Sequence, residues 1–242
     1  MPEHDSYDGG YHTYGSGLGV MMLDTRFPRP PGDVGNARTY DYPVFYEVVE
    51  GADPVRVVRD QDPELLEPFV EAAEHLIDRG AVAITTGCGF LLMFQDELAA
   101  RIPDVPLYTS SLLQIPLVKS MLAPEQKIGV LSADENSLDR IDHPVLTDNE
   151  ERLVYEGVAD SGAFQNVVIE QTNPALDMEA VGEDVVAAAE RLVEGNNVGA
   201  IIFECTNLRP YVEAVQDATG LPVFDYLTLS DMAWRAANGT RF

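Results

Sequence analysis

Two stretches decide the fold: Gly80–Gly89, which reads GAVAITTGCG, and Gly199–Asn207, which reads GAIIFECTN. Each is a short apolar run that gives way to small and polar residues around a cysteine. An apolar run bounded by turn residues suits a strand buried on both faces, the strand type of parallel α/β sheets. Further pieces match between the halves. Leu18-Gly19-Val20 resembles Ile128-Gly129-Val130, and Val105-Pro106-Leu107-Tyr108 resembles Leu221-Pro222-Val223-Phe224. Cys88 precedes Pro106 by 18 residues and Cys205 precedes Pro222 by 17; Gly19 to Cys88 is 69 residues and Gly129 to Cys205 is 76. The spacing predicts a duplicated α/β unit: two similar lobes, each a mostly parallel sheet flanked by helices, related by a pseudo-twofold axis, with a site in the cleft between them.

Around these anchors, strands are predicted at 18–23, 44–49, 55–58, 81–85, 105–108, 127–132, 166–170, 198–203 and 222–224. Helices are predicted at 63–79, 90–100, 177–194 and 210–219. The first of these is the clearest, with Asp62 as cap, Pro63 at the first position and Leu66, Phe69, Val70, Ala73 and Ile77 at helical spacing. The expected organisation is a polar, flexible tail over 1–16, a first lobe over 17–118, a second over 119–226, and a C-terminal helix over 227–242 that packs back on the first lobe.

Composition narrows the function. With 41 Asp and Glu against 15 Lys and Arg, the net charge of −26 repels phosphate backbones and anionic lipid, so neither nucleic acid nor membrane is an expected partner. There is no long apolar span, and the first residues lack the basic start and apolar stretch of a secretory signal, so a cytoplasmic location is expected. Arginine is strongly favoured over lysine, and the acidity runs the length of the chain. That pattern is read as adaptation to high salt, which screens self-repulsion. Two cysteines permit one disulfide by count; in a reducing compartment they would be free thiols.

Each cysteine sits where a buried strand ends and a helix is about to begin. Ligands of open parallel sheets bind beyond the carboxyl ends of the strands, and a helix N-terminus favours thiolate and carboxylate alike. Two such thiols facing one cleft suit proton transfer at the carbon next to a carboxyl group, one thiolate removing the proton and the other thiol delivering one to the opposite face. Developing enolate charge needs fixed donors. Candidates are Thr85, Thr86, Thr206 and the backbone N–H groups of Gly87, Gly89 and Asn207. His, Cys and acidic residues lack metal-ligand spacing, the Gly15–Gly19 glycines precede a strand instead of following one, and the two lysines lack a phosphate-binding context. Neither a metal nor a cofactor is expected.

The motifs TTGCG at 85–89 and ECTNL at 204–208, each after a buried strand, resemble those of the aspartate/glutamate/hydantoin racemase superfamily, which also contains maleate isomerases and arylmalonate decarboxylases. The resemblance covers the order of elements from Gly17 onward. It implies a cofactor-independent racemase or epimerase acting on an amino-acid-like carboxylate or hydantoin. Cys88 and Cys205 would be the acid/base pair, Asp24 would organise the first cysteine, and Thr25, Arg26, Thr86, Gly87, Gly89, Thr206 and Asn207 would bind substrate. Arg29 is a second candidate carboxylate clamp. The first motif departs from glutamate and aspartate racemases, which follow the cysteine with Asn-Thr where this chain has Gly89-Phe90, so substrate identity stays open. Glu204 is expected to point away from the cysteine and to be structural. Two other readings stand beside the racemase: a cis–trans isomerase with a cysteine nucleophile, and a non-catalytic bilobed binding protein. A homo-oligomer is compatible with all three.

Overall fold

The structure is a computed structural model describing residues 15–158 and 162–238. The expected tail lies almost wholly outside the described residues. Among the described residues seven strands form two sheets: β1 (Gly17–Leu23), β2 (Val44–Val49) and β3 (Ala81–Thr86) in the first, and β4 (Lys127–Ser132), β5 (Leu153–Gly157), β6 (Val198–Phe203) and β7 (Val223–Phe224) in the second. The helices are α1 (Leu66–Asp78), α2 (Gln95–Arg101), α3 (Ile115–Met121), α4 (Glu135–Leu138), α5 (Pro144–Thr147), α6 (Met178–Val193), α7 (Val212–Thr219) and α8 (Tyr226–Asn238).

Strand order is β2-β1-β3 and β5-β4-β6-β7, with every pairing parallel. The duplication extends to the register. β1 and β3 pair with a shift between Gly17 and Leu18, and β4 and β6 pair with a shift between Lys127 and Ile128. Leu18 therefore corresponds to Ile128, and by the same count Cys88 corresponds to Cys205. The expected strand at 105–108 is reduced to a single bridge between Ile84 and Leu107, the counterpart of the Ile201–Val223 pair.

Parallel strands need cover on both faces. Alternation along β1 sends Met21 and Leu23 toward α1, where Phe69, Ala73 and Leu76 are buried, and Leu18, Val20 and Met22 toward Tyr226 and Leu229 of α8. In the second lobe Leu131, Ile201 and Phe203 pack on Val185, Ala188 and Leu192 of α6. The opposite face, Ile128, Val130 and Ile202, joins the same core as Leu112, Ile115 and Val118. Burying such side chains is worth about 1.5–3 kcal/mol each, so this shared core fixes the lobes to one another. α8 is further held by Tyr42, whose ring stacks on Trp234 at 4.7 Å and whose hydroxyl donates to Asp231 at 2.9 Å.

Two expected strands are helical. Val55–Asp60 and Gln165–Ile169 are short, wide helical turns. The Val-Arg-Val-Val alternation suggested a strand, but the Asp53 carboxylate accepts from the N–H of Val55 (2.8 Å) and of Arg56 (3.1 Å), a local helix start that overrides β propensity. At the second turn Phe164, Val167 and Val168 are buried together, and the Phe164 N–H donates to Asp184 at 3.1 Å. The two turns occupy corresponding places, each following the outer strand of its sheet.

Candidate active site

The cysteines are presented by matching backbone. The ladder of each sheet continues one residue past the strand: the Gly87 N–H donates to Met21 O at 2.8 Å and the Glu204 N–H to Leu131 O at 2.9 Å. Cys88 and Cys205 then take extended conformations and cap 3-10 turns at Gly89–Phe94 and Thr206–Tyr211. Phe90, Leu91 and Leu92 anchor the first turn in the core, and Leu208 and Tyr211 anchor the second. Both thiols line one cavity between the lobes. Its lining includes Gly87, Gly89, Glu204, Thr206 and Asn207. Its wall includes Thr25, Phe27 and Arg29, and Pro54, Val58 and Ile169 of the two wide turns stand at the edge it shares with an outer bowl. The thiols are free.

Burial and the Glu204 carboxyl push both thiols up, Cys88 to about 12 and Cys205 well above its ordinary range. The Phe90 N–H and the Arg29 guanidinium act in the opposite direction on Cys88, and the Asn207 N–H does so on Cys205. The Cys205 Sγ donates to Asn207 Oδ1 at 3.5 Å, and the Asn207 amide is held by its Nδ2 donating to Asp33 Oδ2 at 2.7 Å. Asp33 also receives Arg29 Nη1 at 2.7 Å, while Arg29 Nη2 donates to Thr25 Oγ1 at 2.7 Å. A guanidinium carries five N–H donors, so Arg29 is steered into place without being exhausted. Glu204 is only 1% exposed, and burial raises its carboxyl to about 7 against the lowering effect of the Ser132 hydroxyl and the Ala133 N–H.

Most residues expected at the site are brought together: Cys88, Cys205, Gly87, Gly89, Thr25, Thr206 and Asn207. Two of the expected hydroxyl donors serve the scaffold instead. The Thr206 hydroxyl donates to Gly87 O at 2.8 Å across the lobe interface, and the Thr86 hydroxyl donates to Thr109 O at 2.7 Å. Asp24 and Arg26 are corrections. Both side chains are exposed at the strand end and off the cavity wall; Asp24 only receives a long contact from the Gly51 N–H at 3.5 Å. The loop turns after Thr25, so the arginine that reaches the cavity is Arg29. Asp33 was not singled out in the sequence, and Glu204, expected to be structural, lines the cavity. Glu204 does point away from Cys205, but the side it turns to is the other lobe and thus also the cleft. Asp33 was signalled only by its spacing of four from Arg29. Among the described residues no group of three or more His, Cys, Asp or Glu is arranged to hold a metal ion, and no helix is long and apolar enough to cross a membrane.

No family model matches the sequence. Among curated proteins, dimethylsulfoniopropionate lyase 7 of Emiliania huxleyi is 35% identical over 222 residues, which is 87% of this chain and 64% of that protein. The dimethylsulfoniopropionate lyase of Durusdinium sp. clade D is 33% identical over 222 residues, 88% of this chain and 72% of the relative. The chain belongs to the dimethylsulfoniopropionate lyase family. It spans about two thirds of the length of these lyases. Solved structures agree on the fold. Allantoin racemase from Klebsiella pneumoniae superposes with a TM-score of 0.62 at 11% identity, covering 92% of this chain and 89% of the other. Unliganded arylmalonate decarboxylase gives 0.60 at 17%, covering 93% and 94%, and Picrophilus torridus aspartate racemase gives 0.58 at 14%, covering 93% and 96%. The architecture is that of the aspartate/glutamate/hydantoin racemase superfamily. The expectation of a racemase, and of an isomerase in general, is overturned: the relatives at 33–35% identity are lyases. Removal of a proton next to a carboxyl group opens both kinds of reaction, so the cysteine motifs alone could not separate them.

Proposed function

We propose that the chain cleaves dimethylsulfoniopropionate by β-elimination. A thiolate of the Cys88/Cys205 pair removes a proton from the carbon next to the carboxylate. The electron pair left behind forms the carbon–carbon double bond as the bond from the β-carbon to sulfur breaks. The products are acrylate, dimethyl sulfide and one proton. Arg29 receives the carboxylate and stabilises the charge that develops on it. Dimethyl sulfide is neutral and a good leaving group, so the reading requires no cofactor. The apolar residues Leu23, Phe27, Val58 and Val168 around the cavity suit the methylene and methyl groups of the substrate.

The observation that carries this reading is the placement of two thiols and Arg29 around one cavity in a chain of this family. The further expectations of a cytoplasmic, salt-adapted protein with a small carboxylate substrate are part of the same proposal. The test is to incubate the purified chain with dimethylsulfoniopropionate, measuring dimethyl sulfide in the headspace and acrylate by proton NMR. Stoichiometric release of both, lost in the Cys88→Ala/Cys205→Ala double variant, is expected. Absence of product from folded protein at low and high salt would overturn it.

A further inference from the structure

Glu204 stands out because the duplication does not account for it. The register that equates Cys88 with Cys205 equates Glu204 with Gly87 and Ser132 with Met22. One lobe therefore carries a buried carboxyl, held by Ser132 Oγ donating to Glu204 Oε2 at 2.9 Å, where the other carries no side chain at all. The second oxygen, Oε1, is buried with no hydrogen-bond partner among the described residues. Gly89 lies directly against it, and only a residue without a side chain fits there: a Cβ would collide with Glu204 Oε1. At the corresponding position of the second lobe the chain has Thr206. Glu204 and Arg29 are the two charged side chains on the cavity wall.

A buried carboxylate oxygen without a partner is costly, and the cost falls when a cation is brought to it. We propose that Glu204 is the cation-recognition residue of the cavity, seating a positively charged onium head group against Oε1 while Arg29 takes the carboxylate. The site then selects zwitterions, onium groups separated from a carboxylate by a short carbon chain, as a chemical class. This rests on the reading of the cavity as the substrate site.

The groups facing Glu204 make the seat responsive. They are the Ser132 hydroxyl and Ala133 N–H from the end of β4, Asp134 beyond them, and the thiols of Cys88 and Cys205 from the two lobes, with Arg29 and Asp33 in the loop beside the thiols. The Glu204 carboxyl, near 7 in the free protein, is drawn down by a bound cation, so binding releases a proton. The same cation offsets the part of the thiols' elevation that comes from the Glu204 charge, burial being the larger cause. Substrate thus favours the thiolate that attacks it.

The test uses two non-reactive isosteres, 3-(trimethylammonio)propionate and the uncharged-head 4,4-dimethylpentanoate, titrated calorimetrically into the protein and its Glu204→Gln and Glu204→Asp variants. Wild type is expected to bind the onium compound at least about tenfold tighter, a difference of about 1.4 kcal/mol. In Glu204→Gln the preference collapses while 4,4-dimethylpentanoate binds as before, which reports an intact cavity; Glu204→Asp retains part of the preference. Near pH 7, onium binding to wild type releases protons, read from buffers of different ionisation enthalpy, and binding to Glu204→Gln releases none. Equal binding of the isosteres by wild type, no binding of the onium compound, or a preference that survives in Glu204→Gln would each overturn the proposal. Cleavage of dimethylsulfoniopropionate without onium preference would remove the role of Glu204 and leave the lyase reading standing. Onium preference without cleavage would do the reverse.

Discussion

The first lobe presents its cysteine between two glycines, and the second presents its own between a carboxyl and a hydroxyl. The backbone beneath is shared: a parallel sheet with the same register shift, a ladder bond one residue beyond the strand, and a 3-10 turn with the cysteine at its N-cap position. Around the cysteines the lobes differ at two corresponding positions, Gly87 against Glu204 and Gly89 against Thr206. A reaction that delivers protons to two faces of one carbon gains from two matched walls. An elimination takes one proton and needs one base, so a second wall is released to hold the head group or the lobe contact.

The sharpest way to break the comparison is to remove each thiol in turn. Cys88→Ala and Cys205→Ala are expected to be unequal, the variant lacking the base losing at least about 1,000-fold in kcat, roughly 4 kcal/mol of barrier, and the other losing distinctly less. Deuterium washed into the methylene next to the carboxylate, followed by NMR, identifies the base. Equal losses from both variants would return the site to a matched pair.

The second contrast is electrostatic. The Glu204 carboxyl is raised from its usual value near 4.5 to about 7 in the folded chain. A group raised on folding contributes stability that is fully present below its unfolded value and is lost as pH rises through the folded one. Stability due to Glu204 therefore declines between about pH 4.5 and 7, by on the order of 3 kcal/mol. Glu204→Gln is expected to remove that share of the decline, measured as the difference between the two proteins in urea unfolding at pH 5 and pH 8. Parallel pH profiles would show that the carboxyl is not raised.

Exchanging side chains between the walls has smaller effects. Gly89→Ala drives a methyl group toward Glu204 O and Oε1 and is expected to cost about 1–3 kcal/mol, with loss of onium binding. Thr206→Val breaks the hydroxyl contact with Gly87 O and is expected to cost about 1–2 kcal/mol while the thiols stay reactive toward a small alkylating reagent. The same substitutions can be scored together, since neighbouring residues in one interface should couple non-additively.

How much of this was legible beforehand follows from the range of each interaction. The buried strands and the two cysteine turns are local patterns, and 81–86, 127–132 and 198–203 were plain. β5 was overlooked because Leu-Val-Tyr-Glu-Gly at 153–157 is an edge strand with a Glu and a Gly at its end, too short to announce itself. The wide turn at 165–169 was mistaken for a strand because Asn-Val-Val-Ile carries β propensity, whereas burial of Phe164 and Val168 against the second-lobe core decides the matter at a distance. Asp24 was expected at the site by resemblance, but the turn of the loop after Thr25 sends it to solvent. Glu204 shows why side-chain alternation gives an orientation but no environment: both sides of that strand end meet protein.

α8 completes the first lobe from the far end of the chain, covering Leu18, Val20 and Ala83 with Tyr226 and Leu229. During synthesis these partners are 208 residues apart from Leu18 to Tyr226. The sheet is complete at Thr86, 140 residues before Tyr226, so at translation speeds of about 5–20 residues per second it waits roughly 7–28 s with one apolar face open. Ribosome-bound chains halted before residue 226 are expected to be cleaved by protease within the first lobe, while released chains carrying the helix resist.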